Sequence, residues 1–329
     1  MLNTEIHLVE NIFSDDIKRS ATRDGFGTGV VEVGKVDERV MVLCADLSES
    51  TRSDEFARLF PKRFVEVGIA EQNMVGFSAG LASVGKVPFV VSYSAFSPGR
   101  NYEQIRTTIA LSESNVRVCG MHSGVSVGAD GATHQMLEDI GMMRMLPNMI
   151  VVNPADAEEA RKAVTESVKI DTPMYLRFSR SATPVFTTHK TTFSFGKAIT
   201  LWDSEKPRIA ILATGPVVYR ALLVARALAS EGIESIVLNV HTIKPLDGDA
   251  ILSAVQRTGR IITIEEHQVA GGFGSAVAEF LVSNYPVPMT MIGIQDRFGQ
   301  SGEPDELLEE YGLGVGNIIK EVHKLILKN

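Results

Sequence analysis

The stretch GIAEQNM, residues 68–74, sets a carboxylate, Glu71, among apolar neighbours, and the run continues as VGFSAGLASVG. An unpaired charge is too costly to keep in an apolar interior, so this pattern predicts a buried acid that is either paired or chemically employed. A second concentration of chemistry is MHSGVSVGADGATHQ, residues 121–135, which gathers His122, Asp130, His134, hydroxyl side chains and several glycines. It follows directly on an apolar run, the position at which α/β sheets present ligand-binding loops. The glycines let the backbone turn sharply and approach a ligand closely. Read as metal ligands, His122, Asp130 and His134 match no established spacing; read as a structural turn, the loop needs none of its titratable groups, and their density favours function. A third is SYSAFSPGRNYEQIR, residues 92–106. Tyr93, Phe96 and Tyr102 suit stacking on a planar ring, and Arg100 and Arg106 suit an anion. Pro98 and Gly99 interrupt the helical pattern here, which puts Tyr93 and Phe96 on a loop.

Around these segments, short β-rich runs alternate with helix-period runs. Strands are predicted at 39–46, 87–94, 116–121, 149–154 and 174–179, with helices at 22–36, 71–83, 101–112 and 156–168. Asp156 is a plausible N-cap, followed by acidic first-turn residues. Near-continuous apolar strands alternating with helices predict a parallel sheet covered on both faces. Between 181 and 207 the pattern weakens into a Ser-, Thr- and Lys-rich segment, read as an interdomain connection with a short hairpin. Alternation then resumes with RIAILAT, IESIVLNV, RIITIEEH and a final strand VPMTMIGI, separated by helical runs. The expectation is an α/β protein of two three-layer α/β/α domains, each with a mostly parallel sheet, over residues 1–190 and 191–329. Two glycine-rich segments are set aside as nucleotide fingerprints. DGFGTG (24–29) has the wrong spacing and no preceding strand, and AGGFG (270–274) reads as a tight strand-to-helix turn.

Composition narrows the classes. With 329 residues, 44% hydrophobic and 22% charged, the chain can bury two cores. A net charge of −8 and the lack of a basic run argue against nucleic-acid binding. No apolar stretch reaches spanning length and the first residues lack a signal-peptide pattern, so a soluble cytoplasmic protein with no membrane role is expected. Cys44 and Cys119 both lie in apolar strand-like runs and read as buried thiols.

Taken together, FVEVGIAEQNMVGFSAGLASVGKVPFVVSYSAF, GVSVGADGATHQMLEDIGMMRMLPNMIVVNPADAEEA and IITIEEHQVAGGFGSAVAEFL resemble the carboxyl-terminal half of transketolases. The resemblance runs from about residue 20 to the end. It implies a domain that binds the pyrimidine of thiamine diphosphate, followed by a companion domain. The domain that holds the diphosphate and Mg²⁺ carries a Gly-Asp-Gly…Asn signature that is absent here. The resemblance therefore implies one subunit of a split transketolase, partnered by an N-terminal subunit that holds most of the cofactor's charge, in an α2β2 assembly. Its activity would be transfer of a two-carbon ketol unit from an anionic ketose to an aldose. Rival readings are half of a deoxyxylulose phosphate synthase-like carboligase, a 2-oxo-acid dehydrogenase β subunit, and a non-catalytic module of the same fold.

Residue by residue, the family's catalytic glutamate matches Glu71. It would hydrogen-bond the pyrimidine ring nitrogen, with that nitrogen as its only partner, and so promote loss of the thiazolium C2 proton. Tyr93 and Phe96 match the wall against the pyrimidine, and Asp46 is placed with them as cofactor-binding. His134, also assigned a catalytic part, and His122 match substrate-binding histidines, and Asp130 an aspartate near the sugar hydroxyls. Arg23, Ser50 and Arg180 match a clamp on the far-end anion, with Arg177 competing for the place of Arg180. Arg100, in the small insertion AFSPGR, is added to the substrate set. No metal ligand is expected on this chain.

Overall fold

The computed structural model describes residues 1–327. Two sheets carry the fold. The first has seven strands, six of them parallel, ordered in space as Thr242–Lys244, Ile150–Val152, Met174–Arg177, Arg117–Met121, Val87–Tyr93, Val40–Cys44 and Phe64–Glu66. The second has five, in the order Met289–Ile294, Ile261–Gln268, Ile209–Ala213, Ser235–Asn239 and Ile199–Trp202, the last antiparallel. The central strands are buried along almost their whole length, as strands covered on both faces must be. This is the expected two-sheet α/β architecture.

Two segments depart from the sequence reading, and a third had none. The hairpin expected in 181–207 does not form. Thr183–Pro184 pairs instead with Arg19–Ser20, and Ile199–Trp202 joins the edge of the second sheet. The helix expected over 101–112 is one turn, Tyr102–Gln104, running into a π-helical turn, Ile105–Ala110. The expected final strand forms as Met289–Ile294, and helices Pro304–Glu310 and Val315–Leu327, for which the sequence reading gave no element, follow it and pack on the second core. The division expected at 190/191 is crossed twice. Ile12 and Ile17 belong to the core of the second sheet, and Thr242–Lys244 belongs to the first sheet, antiparallel to Ile150–Val152.

The glycine-rich segments have packing roles. Helix Thr22–Val36 crosses helix Ala157–Ser167 at Gly25 and Gly29. A Cβ at Gly25 would stand 2.0 Å from the Ala157 carbonyl oxygen, so the spacing in DGFGTG serves a close helix crossing. At AGGFG, the Glu265 carboxylate accepts the N–H groups of Phe273 and Gly274 at 2.6 and 2.7 Å. The N-terminus of helix Phe273–Asn284 is thus capped by the chain's own acid, which fits the turn reading. Asp156 caps helix Ala157–Ser167 as expected, accepting from Glu159 N at 2.9 Å. Among the described residues no helix is long and apolar enough to cross a membrane.

Candidate active site

Five of the six parallel strands of the first sheet lead, at their carboxyl ends, into one cluster. Val40–Cys44 leads to Ser50, Phe64–Glu66 to Glu71, Val87–Tyr93 to Phe96 and Arg100, Arg117–Met121 to His122 and His134, and Met174–Arg177 to Arg180. Glu71 is the first residue of helix Glu71–Ser83 and is 4% exposed. Its helix is less enclosed than the sequence suggests: Ile69 and Phe77 are exposed, and only Glu71, Met74, Val75 and Ser78 are buried. The expectation that a ring nitrogen is its only partner is corrected here. Arg100 Nη1 donates to Glu71 Oε1 at 2.8 Å, and Asn101 Nδ2 to its main-chain oxygen at 3.1 Å. Arg100 also lies over the Phe96 ring, 4.1 Å from its centroid. Ile69, Ala70, Glu71, Gln72, Asn73 and Arg100 line an open recess of about 500 Å³.

From Phe96 a row of rings leads inward. Tyr93 stacks on Phe96 at 5.8 Å and on His122 at 4.1 Å, and the His134 ring meets Phe96 edge-on at 5.4 Å. The Tyr93 hydroxyl is 2.7 Å from Ser50 Oγ. His122 Nε2 is 2.8 Å from Arg23 Nη1. A guanidinium can only donate, so Nε2 accepts and the ring proton sits on Nδ1. Burial first, then the positive charges of Arg23 and Arg180, push His122 down to about 3, so the ring is neutral at physiological pH. His122 is therefore a buried support beneath Tyr93 with one nitrogen committed to Arg23.

Arg23 also donates to the Ser50 carbonyl at 2.8 Å. Burial lowers its proton affinity, and the nearby Arg52 and Arg180 charges add to this. Arg52 is paired with Asp24 and Arg180 with Asp130, at 2.8 and 2.9 Å. Arg23 has no carboxylate within salt-bridge distance among the described residues. The arrangement leaves one cation held by a carbonyl and a neutral imidazole, with the Asp24 charge acting on it only from beyond salt-bridge distance and no ion-pair partner among the described residues.

The other expected residues fall as follows. Asp46 is exposed at the end of Val40–Cys44, where its N–H donates to Glu66 Oε1 at 2.8 Å; no contact joins its carboxylate to the ring cluster among the described residues. Arg177 does not compete with Arg180, because it is buried against Asp139 at 2.7 Å, between the sheets. Tyr102 packs on the apolar core and Arg106 is exposed, so neither joins the site. Among the described residues no three His, Cys, Asp or Glu side chains are grouped to hold a metal. The sequence reading passed over Glu265 and Glu266. Their signal, two acids inside the apolar strand RIITIEEH, is the one that singled out Glu71.

Residues 18–185 match the family model for the transketolase pyrimidine-binding domain, and residues 196–318 that for the transketolase C-terminal domain. A 6-deoxy-6-sulfo-D-fructose transketolase subunit from Clostridium sp. (strain MSTE9) is 38% identical, the alignment covering 92% of this chain and 94% of that one. An apulose-4-phosphate transketolase subunit of Phocaeicola vulgatus is 40% identical, with 94% and 98% covered. A solved structure described as a split gene transketolase, an inactive beta4 tetramer, superposes with a TM-score of 0.86 at 40% identity, covering 93% of this chain and 98% of that one. Matched along nearly its whole length by subunits of this kind, the chain belongs to the transketolase family.

Proposed function

We propose that this chain is the carboxyl-terminal subunit of a two-subunit, thiamine-diphosphate-dependent transketolase. It would take a two-carbon ketol unit from a ketose ending in an oxyanion and pass it to an aldose. The observation that carries the reading is the unbroken line of contacts from Glu71 through Arg100, Phe96, Tyr93 and His122 to Arg23. It has an acid at one end and, at the other, a cation with no carboxylate at salt-bridge distance among the described residues.

The residues fit the pyrimidine end of the cofactor. Glu71 is a buried carboxylate beside an open recess, and the exposed Ile69 and half-buried Phe96 offer apolar flanks. When bound, thiamine diphosphate supplies the nucleophilic carbon and the electron sink for cleaving the bond next to a carbonyl. Glu71 would hold a proton at the pyrimidine ring nitrogen, Arg100 keeping its carboxylate fixed. Phe96 and Tyr93 would orient the ring and shield it from water. His134, edge-on to both, would hold a substrate oxygen. Asp130, held by Arg180, would meet the sugar hydroxyls. Arg23 would receive the terminal oxyanion. The diphosphate and its Mg²⁺ would be bound by a partner subunit, giving an α2β2 complex.

The related subunits are named for sugars that end in phosphate and in sulfonate. Both are tetrahedral oxyanions, and the cation at Arg23 suits either. In the reconstituted complex, Glu71→Gln should cut turnover by roughly 10²–10⁴ and slow C2 proton exchange of the bound cofactor in step. The isolated chain should bind thiamine diphosphate weakly by calorimetry and turn over no ketose. Equal exchange rates in wild type and variant, or tight Mg²⁺-dependent binding by the chain alone, would overturn the reading.

A further inference from the structure

The loop that follows Met121 carries Asp130 and His134, and its only regular piece is the short 3₁₀ turn Val125–Val127. Three of its glycines, Gly124, Gly128 and Gly131, have φ of 89, 87 and 72°, a region that favours glycine. Each of them faces the second half of the chain. A Cβ on Gly124 would stand 2.2 Å from Glu266 Oε1, on Gly128 3.3 Å from the Gly302 carbonyl, and on Gly131 2.6 Å from Ser301 Oγ. The shape of a loop belonging to the first sheet is therefore set by contact with strand Ile261–Gln268 and with residues 299–302.

The centre of this contact is one residue, Ser126, whose main-chain N–H and carbonyl are both held. Glu266 Oε1 accepts the Ser126 N–H at 2.6 Å, and Ser181 Oγ donates to the Ser126 carbonyl at 2.6 Å. Gln135 Nε2 adds bonds to the carbonyls of Val125, Gly128 and Gln300 at 3.0, 3.1 and 2.9 Å. Glu266 itself is 3% exposed. A simpler account would make it the counter-ion of buried Arg177. The geometry argues otherwise: the Arg177 guanidinium binds the Asp139 carboxylate at 2.7 Å and reaches Glu266 only through its main-chain oxygen, at 3.0 Å. The Glu266 carboxylate is aimed at the loop.

We propose that Glu266 is a positioning residue for the substrate. Accepting the Ser126 N–H, it fixes the loop that presents Asp130 and His134 to the ring row, and so couples the second sheet to the site. This rests on the transketolase reading above. Its chemistry is that of a buried hydrogen-bond acceptor at a fixed reach, which separates it from a charge effect. Glu266→Gln keeps an acceptor oxygen at the same reach. Glu266→Asp keeps the charge but withdraws it by one methylene. Glu266→Leu removes the acceptor.

The test uses the full complex with thiamine diphosphate and Mg²⁺. Leaving a buried N–H unpaired should raise KM for the donor ketose roughly tenfold or more in the Asp and Leu variants, and Gln should restore it to within about threefold of wild type. Cofactor affinity should stay level throughout, because Glu71, Tyr93 and Phe96 lie on other loops. Hydrogen exchange should show the Ser126 amide deprotected in Asp and Leu and protected in Gln. Should Leu fail to fold, Asp and Gly124→Ala, which crowds the same oxygen from the loop side, carry the comparison. Three outcomes overturn the proposal: Gln as damaging as Leu, Asp and Leu both within about twofold of wild-type KM, or cofactor affinity falling in parallel with KM. A wild-type complex that cleaves no ketose would instead sink the transketolase reading, and Ser126 exchange would still decide whether Glu266 holds the loop.

Discussion

Arg23 is the residue whose surroundings say most about the substrate. Burial, and then the charges of Arg52 and Arg180, lower the proton affinity of Arg23, and among the described residues only Arg52 and Arg180 of the three guanidinium groups have carboxylate partners. Like charges held together in a partly buried site repel unless an anion sits among them. Arg23 cannot swing away cheaply, because the Ser50 carbonyl and His122 Nε2 both hold it. Arg23→Ala should therefore raise KM for an anionic ketose by roughly 10- to 100-fold, with a smaller change in kcat, because the contact is made in ground and transition states alike. An unphosphorylated ketose of the same chain length should be a poor substrate for the wild type and little affected by the substitution. Steady-state kinetics on such a matched pair checks this. Equal loss on both sugars would mean that Arg23 supports Tyr93 and His122 and does not grip the anion.

At the scale of elements, Arg23 is placed by a helix that must approach its neighbour closely. Gly25 and Gly29 are where helices Thr22–Val36 and Ala157–Ser167 touch. In Gly25→Ala the new methyl would lie 2.0 Å from a main-chain oxygen and 2.9 Å from the Ala160 Cβ, neither of which is a flexible side-chain end. The helices must separate, which should cost about 1–3 kcal/mol, more than the gain of up to about 1 kcal/mol in helix propensity. Gly76→Ala on helix Glu71–Ser83 is the control, since nothing lies within 4 Å of its Cβ position. It should leave the isolated chain unchanged or more stable. Denaturant midpoints distinguish the two, and a Gly25→Ala midpoint at or above wild type would show that the crossing is loose. What the sequence revealed follows the same division. Glu71, His122, Asp130 and His134 could be singled out as candidates because each lies in a short contiguous motif beside a strand end, and the structure brings them to one edge of the first sheet. The Arg100–Glu71 pair was not, because its partners are brought together only by the return of strand Val87–Tyr93. The acids of RIITIEEH were visible, but their uses could not be read. Neighbouring positions on a strand face opposite sides, so Glu265 caps a helix and Glu266 holds a loop of the other half. Strand Thr242–Lys244 is too short for a pattern and pairs across the molecule.

At the scale of the whole molecule, the two sheets are joined through buried polar groups, and this makes stability sensitive to pH. His241 precedes the strand that crosses into the first sheet. It is fully buried, stacks on Phe193 at 4.4 Å, and accepts the Asn153 N–H on its main-chain oxygen at 2.8 Å. Burial, only partly opposed by the Asp247 charge, lowers it from 6.5 to about 3. His122 and His267 are lowered to about 3 and about 4 for the same first reason. Below pH 6.5 the unfolded chain takes up these protons and the folded chain does not, so each histidine erodes stability as pH falls towards its folded value. Glu159 and Glu265 act in the opposite sense. Burial raises them from 4.5 to about 8, so their contribution is complete below 4.5 and is lost as pH rises to about 8. Because the terms overlap, the shape of the wild-type curve alone assigns nothing, and a difference isolates one group. His241→Gln should remove a slope of up to about 1.4 kcal/mol per pH unit between pH 6.5 and pH 3, whatever constant stability it also costs. Urea unfolding of both proteins at several pH values across that window checks it. The wild-type line should fall relative to the variant line as pH falls; parallel lines would mean that His241 takes up its proton in the folded state, with the joint between the sheets open to water.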